Sequence, residues 1–337
     1  MPSGGLKVVV TGGAGFLGLR LVRRILERGT VIGKSGRKES VSEIIIADSH
    51  IPSEFPTLGP LVRLARGSIA DPEFVGDLIA GDDVSIFHLA SIVSGEAEQD
   101  FDLAMQINLH GHLNVLEAAR KLNSCPKYVF ASSIAAYGGA NTPKSVSETT
   151  RLVPQTTYGA TKVIAELLIN DYSRKGFIDG RAARLGMVIV RPGKPNRAAS
   201  SFGSGIIREP LKGLNYNVPV PLNTYIPVVS YRTAVDGLLA LHDVEYSRLG
   251  DDRIINLPMI SISLNDIVKG LKSVASDREL GRIAAAPDPF TMEIVAGWPA
   301  DVGGERAKEL GLPIDTNIDD IIRAYIDDYV DAPPVTK

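Results

Sequence analysis

Tyr158 and Lys162 stand four residues apart in Tyr158-Gly159-Ala160-Thr161-Lys162. On a helix that spacing puts a phenol and an ammonium on one face. A phenol titrates near pH ~10, too high for a base at neutrality. A neighbouring ammonium, and any further positive charge beside the ring, favour the phenolate, which then accepts a proton. With ten tyrosines in the chain, a solvated Tyr and Lys on an outer helix face would read the same way. A hydroxyl decides between the two. Residues 130–138, FASSIAAYG, end an apolar strand in Ser132 and Ser133. That is the carboxyl edge, where open α/β sheets carry their sites. From there Ser133 can hydrogen-bond a reacting oxygen and hold it against Tyr158.

A second set suits an anion. Residues 6–18, LKVVVTGGAGFLG, read as a buried strand followed by Gly12, Gly15 and Gly18 and the start of a helix. Gly12 permits a tight turn, Gly15 lets backbone approach a pyrophosphate, and Gly18 allows close helix–strand packing. The first-turn amides, those of Phe16, Leu17 and Gly18, then face the anion at the positive end of the helix. Asp48 closes the next strand, residues 43–47, where a carboxylate takes both adenosine ribose hydroxyls and repels a 2′-phosphate. NAD is therefore expected rather than NADP. Lys34, Arg37 and Lys38 precede that strand, on the wrong side for a phosphate. Other strand ends on the same edge add Ser68 and Ile69, then Leu89, Ala90 and Ser91, and finally Leu185 as cofactor contacts.

These residues need a parallel sheet with helices on both faces, and the first half supplies that alternation. Strands are expected at 6–10, 43–47, 61–65, 84–89, 127–132 and 183–190. Helices are expected from 16 to Gly29, at 101–122 and at 158–173. Residues 30–42 read as a polar surface loop. Beyond Arg191 the texture turns rich in Gly, Pro and Ser. Helices follow at 205–212, 230–242, 264–275 and 318–329, with a strand at 254–257. Residues 219–227 carry too many prolines for a central strand. The expected fold is α/β, a Rossmann-type doubly wound parallel sheet with a smaller C-terminal α/β substrate cap. Residues 1–190 bind NAD, with 228–260 returning to that domain; 191–227 and 261–337 form the cap, and 333–337 fray.

Across 337 residues, 36 Lys and Arg against 39 Asp and Glu give a net charge of −3, with no basic run to follow a nucleic-acid backbone. A lone cysteine, Cys125, excludes a disulfide framework and a cysteine zinc site. The five histidines make no metal motif: His110 and His112 face different ways on a helix, and His88 reads as a hydrogen-bonded core residue. No segment has the pattern of a signal peptide or the length of a membrane span, so a cytoplasmic protein is expected.

The G-x-x-G-x-x-G spacing in TGGAGFLG and the FASSIAAYGG segment resemble the extended short-chain dehydrogenase/reductase family, over residues 6 to about 260. The resemblance implies catalytic roles for Ser133, Tyr158 and Lys162, and for Asn108 beside the lysine. Within that family the chain resembles the D-erythronate dehydrogenase subgroup, through residues 86–102, 154–181, 190–211 and 294–299. This implies NAD-dependent oxidation of the C2 hydroxyl of a four-carbon sugar acid to a 2-oxo acid. Ser91, Ser94, Ser133, Tyr158, Arg191, Lys194 and Asn196 are then candidate substrate contacts, with Arg191, Lys194, Asn196 and the hydroxyls of Ser91 and Ser94 as partners for the carboxylate. It also implies a homodimer paired through helices 101–122 and 158–173. Two other readings stay open: a nucleoside-diphosphate-sugar epimerase that retains NAD, and a non-catalytic dinucleotide sensor, which would not need Ser133, Tyr158 and Lys162. Three positions depart from family patterns: Ser68 after Gly67, Gly186 where a proline is expected, and residues 228–232, VVSYR, in place of His-Val-x-Asp.

Overall fold

Strands and helices alternate through the described residues, 5–194 and 198–331, of this computed structural model. The first half runs β1 (Leu6–Thr11), α1 (Phe16–Arg28), β2 (Thr30–Ile32), β3 (Lys38–Asp48), β4 (Val62–Arg66), α2 (Pro72–Leu78) and β5 (Val84–His88). It continues through α3 (Ser94–Gln99), α4 (Phe101–Ala104), α5 (His112–Lys121), β6 (Lys127–Ser133), β7 (Ser145–Val146), α6 (Thr157–Arg174) and β8 (Asp179–Leu185). Then come β9 (Met187–Ile189), α7 (Ser201–Leu211), β10 (Tyr216–Val218), β11 (Tyr225–Ser230), α8 (Tyr231–Asp243), α9 (Tyr246–Leu249) and β12 (Ile254–Asn256). The last part holds β13 (Ile260–Ser263), α10 (Leu264–Val274), β14 (Ile283–Ala285), α11 (Pro289–Ala296), β15 (Asp301–Val302), α12 (Glu305–Glu309) and α13 (Ile318–Tyr325).

The main sheet is ordered β12-β8-β6-β5-β1-β3, with β4 and β2 both on the outer edge of β3. All its pairings are parallel except that of β2 with β3. Sequence order reverses between β1 and β5, and that switch point is where a doubly wound sheet opens a crevice. Alternation along β1 serves two cores. Val8 and Val10 pack with Leu21, Val22 and Ile25 of α1 and Leu238 of α8. Val9 faces the other way, into a core with Val115, Leu116 and Ile169 of α5 and α6. A run buried on both faces has no polar side, which is why β1 reads as an unbroken apolar stretch.

A smaller sheet, β13-β11-β9, carries the third core, where Ile206 of α7, Leu264 and Ile267 of α10 and Ile322 of α13 meet Met187 and Val228. The C-terminal part is shared between cores, because Ala307 and Leu312 belong to the core that also holds α1 and α8.

Four sequence expectations change. Residues 30–42 form a hairpin edge rather than a loop: Val31 and Val41 are buried, and Gly36 turns the chain with φ +74°. The 101–122 rod passes through wider turns over Met105–Gly111 between α4 and α5. The expected strand 183–190 is two strands, broken at Gly186, where a Cβ would sit 2.9 Å from the Pro227 carbonyl oxygen. Pro227 itself belongs to a central strand, β11, against the expectation for residues 219–227. The proline is tolerated because the β9 ladder begins only at Val228.

Candidate active site

The glycine turn has the three features that its spacing implies. Gly12 leaves β1 at φ +68°, and a Cβ there would lie 2.7 Å from the Ala90 amide nitrogen. A methyl on Gly18 would run into the Gly12 carbonyl oxygen. Gly15 caps α1 with no side-chain hydrogen bond, so the first-turn amides of Phe16, Leu17 and Gly18 keep the unsatisfied donors of a helix start. Asp48 lies beside this turn: Oδ2 accepts from the Ala14 amide at 3.2 Å and Oδ1 from the His50 amide at 3.1 Å. Backbone where no Cβ fits, a bare helix N-terminus and a carboxylate beside it fit a dinucleotide.

The cleft above the switch point holds about 380 Å³. Gly12, Gly15, Phe16, Leu17, Gly18 and Leu89 line one end. Ser91, Ser94, Ser133, Tyr158, Lys162, Leu185 and Arg191 line the rest, so the sequence candidates largely converge. Asp48, Ser68, Ile69, Ala90, Asn108 and Lys194 are not on this wall. Ser68 Oγ accepts from the Ala70 amide at 3.2 Å, Ile69 is buried, and the Ala90 amide reaches Thr11 Oγ1 at 3.3 Å. Lys194 is exposed, and Asn196 lies outside the described residues.

Helix α6 is pressed flush against the turn that follows β6. Thr156 accepts from the Gly159 amide at 3.0 Å, and a Cβ on Gly159 would strike the Ala135 carbonyl. This contact sets Tyr158 beside Ser133. Burial pushes the Tyr158 phenol up to about 12, while its hydrogen bond with Ser133 pulls the other way. Lys162 is 3% exposed and burial pushes its ammonium down to about 7, with Glu166 opposing. Its Nζ donates to the Ala131 carbonyl at 2.8 Å and sits 5.2 Å from the centre of the Tyr158 ring. Without the cofactor, Lys162 does not by itself lower the phenol, which leaves the second expected contribution, a further positive charge, to the oxidised nicotinamide of bound NAD. The ammonium is directed at Ala131, and burial weakens its hold on the proton.

Asn108 falls within the wide turns between α4 and α5, and its amide clamps a loop. Oδ1 accepts from the Ile92 amide at 2.7 Å and from Ser91 Oγ at 3.0 Å, while Nδ2 donates to the Ile92 carbonyl at 3.0 Å. In this arrangement it fixes Ser91 rather than bonding Lys162. His88 is a core residue hydrogen-bonded to Thr11 Oγ1 at 2.6 Å, as expected, and His112 is buried while His110 is exposed. Among the described residues no cluster of His, Cys, Asp or Glu is arranged to hold a metal, and no helix is long and apolar enough to cross a membrane.

Sequence reasoning missed two groups. Beneath the site, Ser132 Oγ donates to Glu166 Oε1 at 2.6 Å, and Arg184 grips the same carboxylate at 2.9 and 2.7 Å. Arg184 also donates to Tyr137 Oη, which donates in turn to Asn256 Oδ1 at 2.9 Å. The available signal was Glu166 one helical turn beyond Lys162. On the cleft wall, Ser201, Ser204 and Arg208 form one stripe of α7, and Trp298 adds an aromatic face. Their i, i+3, i+7 spacing was readable once α7 was known to start at Ser201.

A hydroxyl, a phenol and an ammonium at the carboxyl edge of a Rossmann sheet, with a dinucleotide seat alongside, are the working parts of a nicotinamide-dependent oxidoreductase. Residues 8–241 match the model of the NAD-dependent epimerase/dehydratase family, and the chain belongs to it. It is 42% identical to the D-erythronate dehydrogenase of Cupriavidus necator over 323 residues, which cover 96% of this chain and 98% of that one. It is 38% identical to the D-erythronate dehydrogenase of Haemophilus influenzae, covering 96% and 99%. Among solved structures, one described as the nucleoside-diphosphate-sugar epimerase from Agrobacterium tumefaciens superposes with a TM-score of 0.88 at 34% identity, covering 97% of this chain and 95% of that one. The protein is an NAD-dependent oxidoreductase acting on a CH–OH group.

Proposed function

We propose that this enzyme oxidises the C2 hydroxyl of a small sugar acid, D-erythronate being the first candidate, to the 2-oxo acid. One observation carries the reading. The cleft that joins Ser133, Tyr158 and Lys162 has three charged wall residues among the described ones, Lys162, Arg191 and Arg208, and all are cations. A cleft with positive walls suits an anionic substrate. Bound oxidised NAD supplies a hydride acceptor and a positive charge near the phenol. Ser133 holds the substrate hydroxyl, Tyr158 as phenolate removes its proton, and Lys162 stabilises that phenolate. Lys162 gains charge as the phenolate forms, because each ion raises the other's preference for its charged form.

The same two arginines support the acid over a neutral sugar. The description of the Agrobacterium structure favours a second reading, an epimerase that keeps its NAD. Against it, residues 228–232 lack the His-Val-x-Asp pattern, and the two named dehydrogenases are more similar in sequence. The test is a panel of sugar acids and nucleoside-diphosphate sugars with NAD, read as absorbance of reduced cofactor at about 340 nm. A sugar acid should give sustained NADH release. Conversion of a nucleotide sugar with no NADH from any acid would establish the epimerase instead.

The division of labour we propose follows the cores in part, since Met187, Ile189, Val190 and Val228 of the first set pack in the third core. Residues 1–190 with 228–260 serve NAD and 191–227 with 261–337 serve the substrate, although Ala307 and Leu312 pack with the former. A homodimer through α4, α5 and α6 is supported by Phe101, Ile164 and Leu167, which are exposed there. Light scattering at micromolar concentration should give twice the chain mass, and a monomer would reject it. We place the reaction in the cytoplasm, in keeping with a lone free Cys125.

A further inference from the structure

Arg208 is the largest anomaly in the cleft. It projects from α7 and is 1% exposed, yet it lines the wall. Two of its three nitrogens are fixed: Nε donates to Glu209 Oε1 at 2.6 Å, and Nη1 donates to the Arg191 carbonyl at 2.7 Å. The third, Nη2, is buried and has no partner among the described residues. A charged donor shut away from water without an acceptor is costly, and an anion bound beside it would relieve that cost. The surrounding charge agrees. Arg191, half-buried, has its own guanidinium pushed down by burial and by the charge of Arg208, so two cations share this end of the cleft. Glu209 is the only carboxylate on them in the described structure, and it is divided between Arg208 Nε and Lys212, whose Nζ lies 3.6 Å from Oε2.

The neighbours are those of an anion seat. Ser201 and Ser204 share the Arg208 stripe, and Ser204 Oγ accepts from the Arg191 amide at 3.0 Å. That bond, with the one from Nη1 to the Arg191 carbonyl, locks the Arg191 backbone to α7. The guanidinium is thus held by its scaffold before any ligand arrives. Lys194, by contrast, is exposed and off the wall.

We infer that Arg208, through Nη2, receives the carboxylate of the substrate, and that it is the residue by which this enzyme selects an acid over a neutral polyol. The inference rests on the sugar-acid reading above. A carboxylate held at α7 leaves the adjacent C2 hydroxyl to be presented to Ser133 and Tyr158. An arginine with one spare donor in a fixed orientation gives a single-point anchor, which Lys cannot copy while also keeping the Arg191 carbonyl.

The test compares wild type, Arg208→Met and Arg208→Lys on a sugar acid and on its uncharged polyol, with NAD affinity measured separately. Wild type should favour the acid strongly. Both variants should raise the KM for the acid by roughly 10- to 100-fold, the range for a lost charge-assisted hydrogen bond. The polyol and the NAD Kd should change by less than about threefold. Arg208→Lys keeps the charge and remains informative if Arg208→Met fails to fold. Three outcomes separate the claims. Wild type that uses acid and polyol alike overturns the acid reading itself. Wild type that demands the acid, with variants that keep its KM, overturns the assignment of Arg208 alone. Variants that lose NAD and substrate affinity by the same factor make Arg208 a structural residue.

Discussion

Lys162→Met should inactivate the enzyme and at the same time make the cofactor-free protein more stable. Burial holds the Lys162 ammonium down to about 7, against 10.5 for the same group in water. The folded value lies below the unfolded one, so the unfolded chain binds the extra proton throughout that window. The penalty stands in full below pH 7 and is relieved as pH rises toward 10.5. It amounts to about 4 kcal/mol at pH 7 and about 2 kcal/mol at pH 9. Replacing the ammonium by a thioether abolishes the penalty. It also leaves the Ala131 carbonyl without its 2.8 Å donor, a loss of about 1–3 kcal/mol. The balance at pH 7 is a gain of roughly 1–3 kcal/mol, a rise in Tm of about 1–4 °C for a chain of this length. Melting wild type and variant without NAD at pH 7 and pH 9 tests this directly. Wild type should gain about 2 kcal/mol more than the variant over that interval. Lys127, held by burial down to about 8, acts with the same sign in both proteins and cancels in the comparison. A variant that melts below wild type at pH 7, or parallel pH profiles for the two, would refute the reasoning.

Tyr158→Phe should keep NAD affinity and lose turnover by roughly 10²–10⁴-fold, and residual activity above about a tenth would end the proton-transfer role. Wild type should prefer NAD over NADP by at least about tenfold in kcat/KM, and Asp48→Ala should shrink that ratio; equal use by wild type would mean that Asp48 does not read the ribose. Glu166→Ala strands Arg184, whose side chain is 4% exposed, so it should cost about 3–5 kcal/mol in stability. A thermal shift below about 1 °C for that variant would show that the pair contributes little.

The catalytic edge was legible because its geometry is local. Gly12, Gly15 and Gly18 each answer a steric demand within one strand–turn–helix unit, and Tyr158 and Lys162 share a face by helical spacing alone. Ser133 needed only the end of β6. What stayed hidden depends on contacts between distant segments. Arg184 meets Glu166 across a helix and a strand 18 residues apart in sequence, and Asn256 joins the same network from β12. Arg208 gains its meaning from the Arg191 carbonyl, which no periodicity encodes. The hairpin of β2 and β3 reads as a loop because its polar side is what the sequence displays, while burial of Val31 and Val41 follows from the sheet edge. Pro227 misled in the opposite direction, since a proline is acceptable where the neighbouring strand has not yet begun. Asn108 was found, but its bonds to Ile92 could not be read from sequence.

The late position of β12 has a consequence for the order in which this chain can mature. Strand β8 is complete at Leu185, yet its outer partner begins only at Ile254. As the chain is synthesised from its amino end, an unpaired parallel edge waits while nearly seventy further residues emerge, among them the whole of α7. Such an edge is a template for pairing with the wrong chain until it is covered. The chain meets this risk in its composition: Arg181 and Arg184 lie on β8, and charges on an unfinished edge discourage pairing. Strand β12 both covers that edge and supplies Asn256, which accepts from Tyr137 in the buried network under Ser133. The network under Ser133 therefore depends on a residue made long after β6 and β8, and a chain stalled before Asn256 would hold the dinucleotide seat without that support.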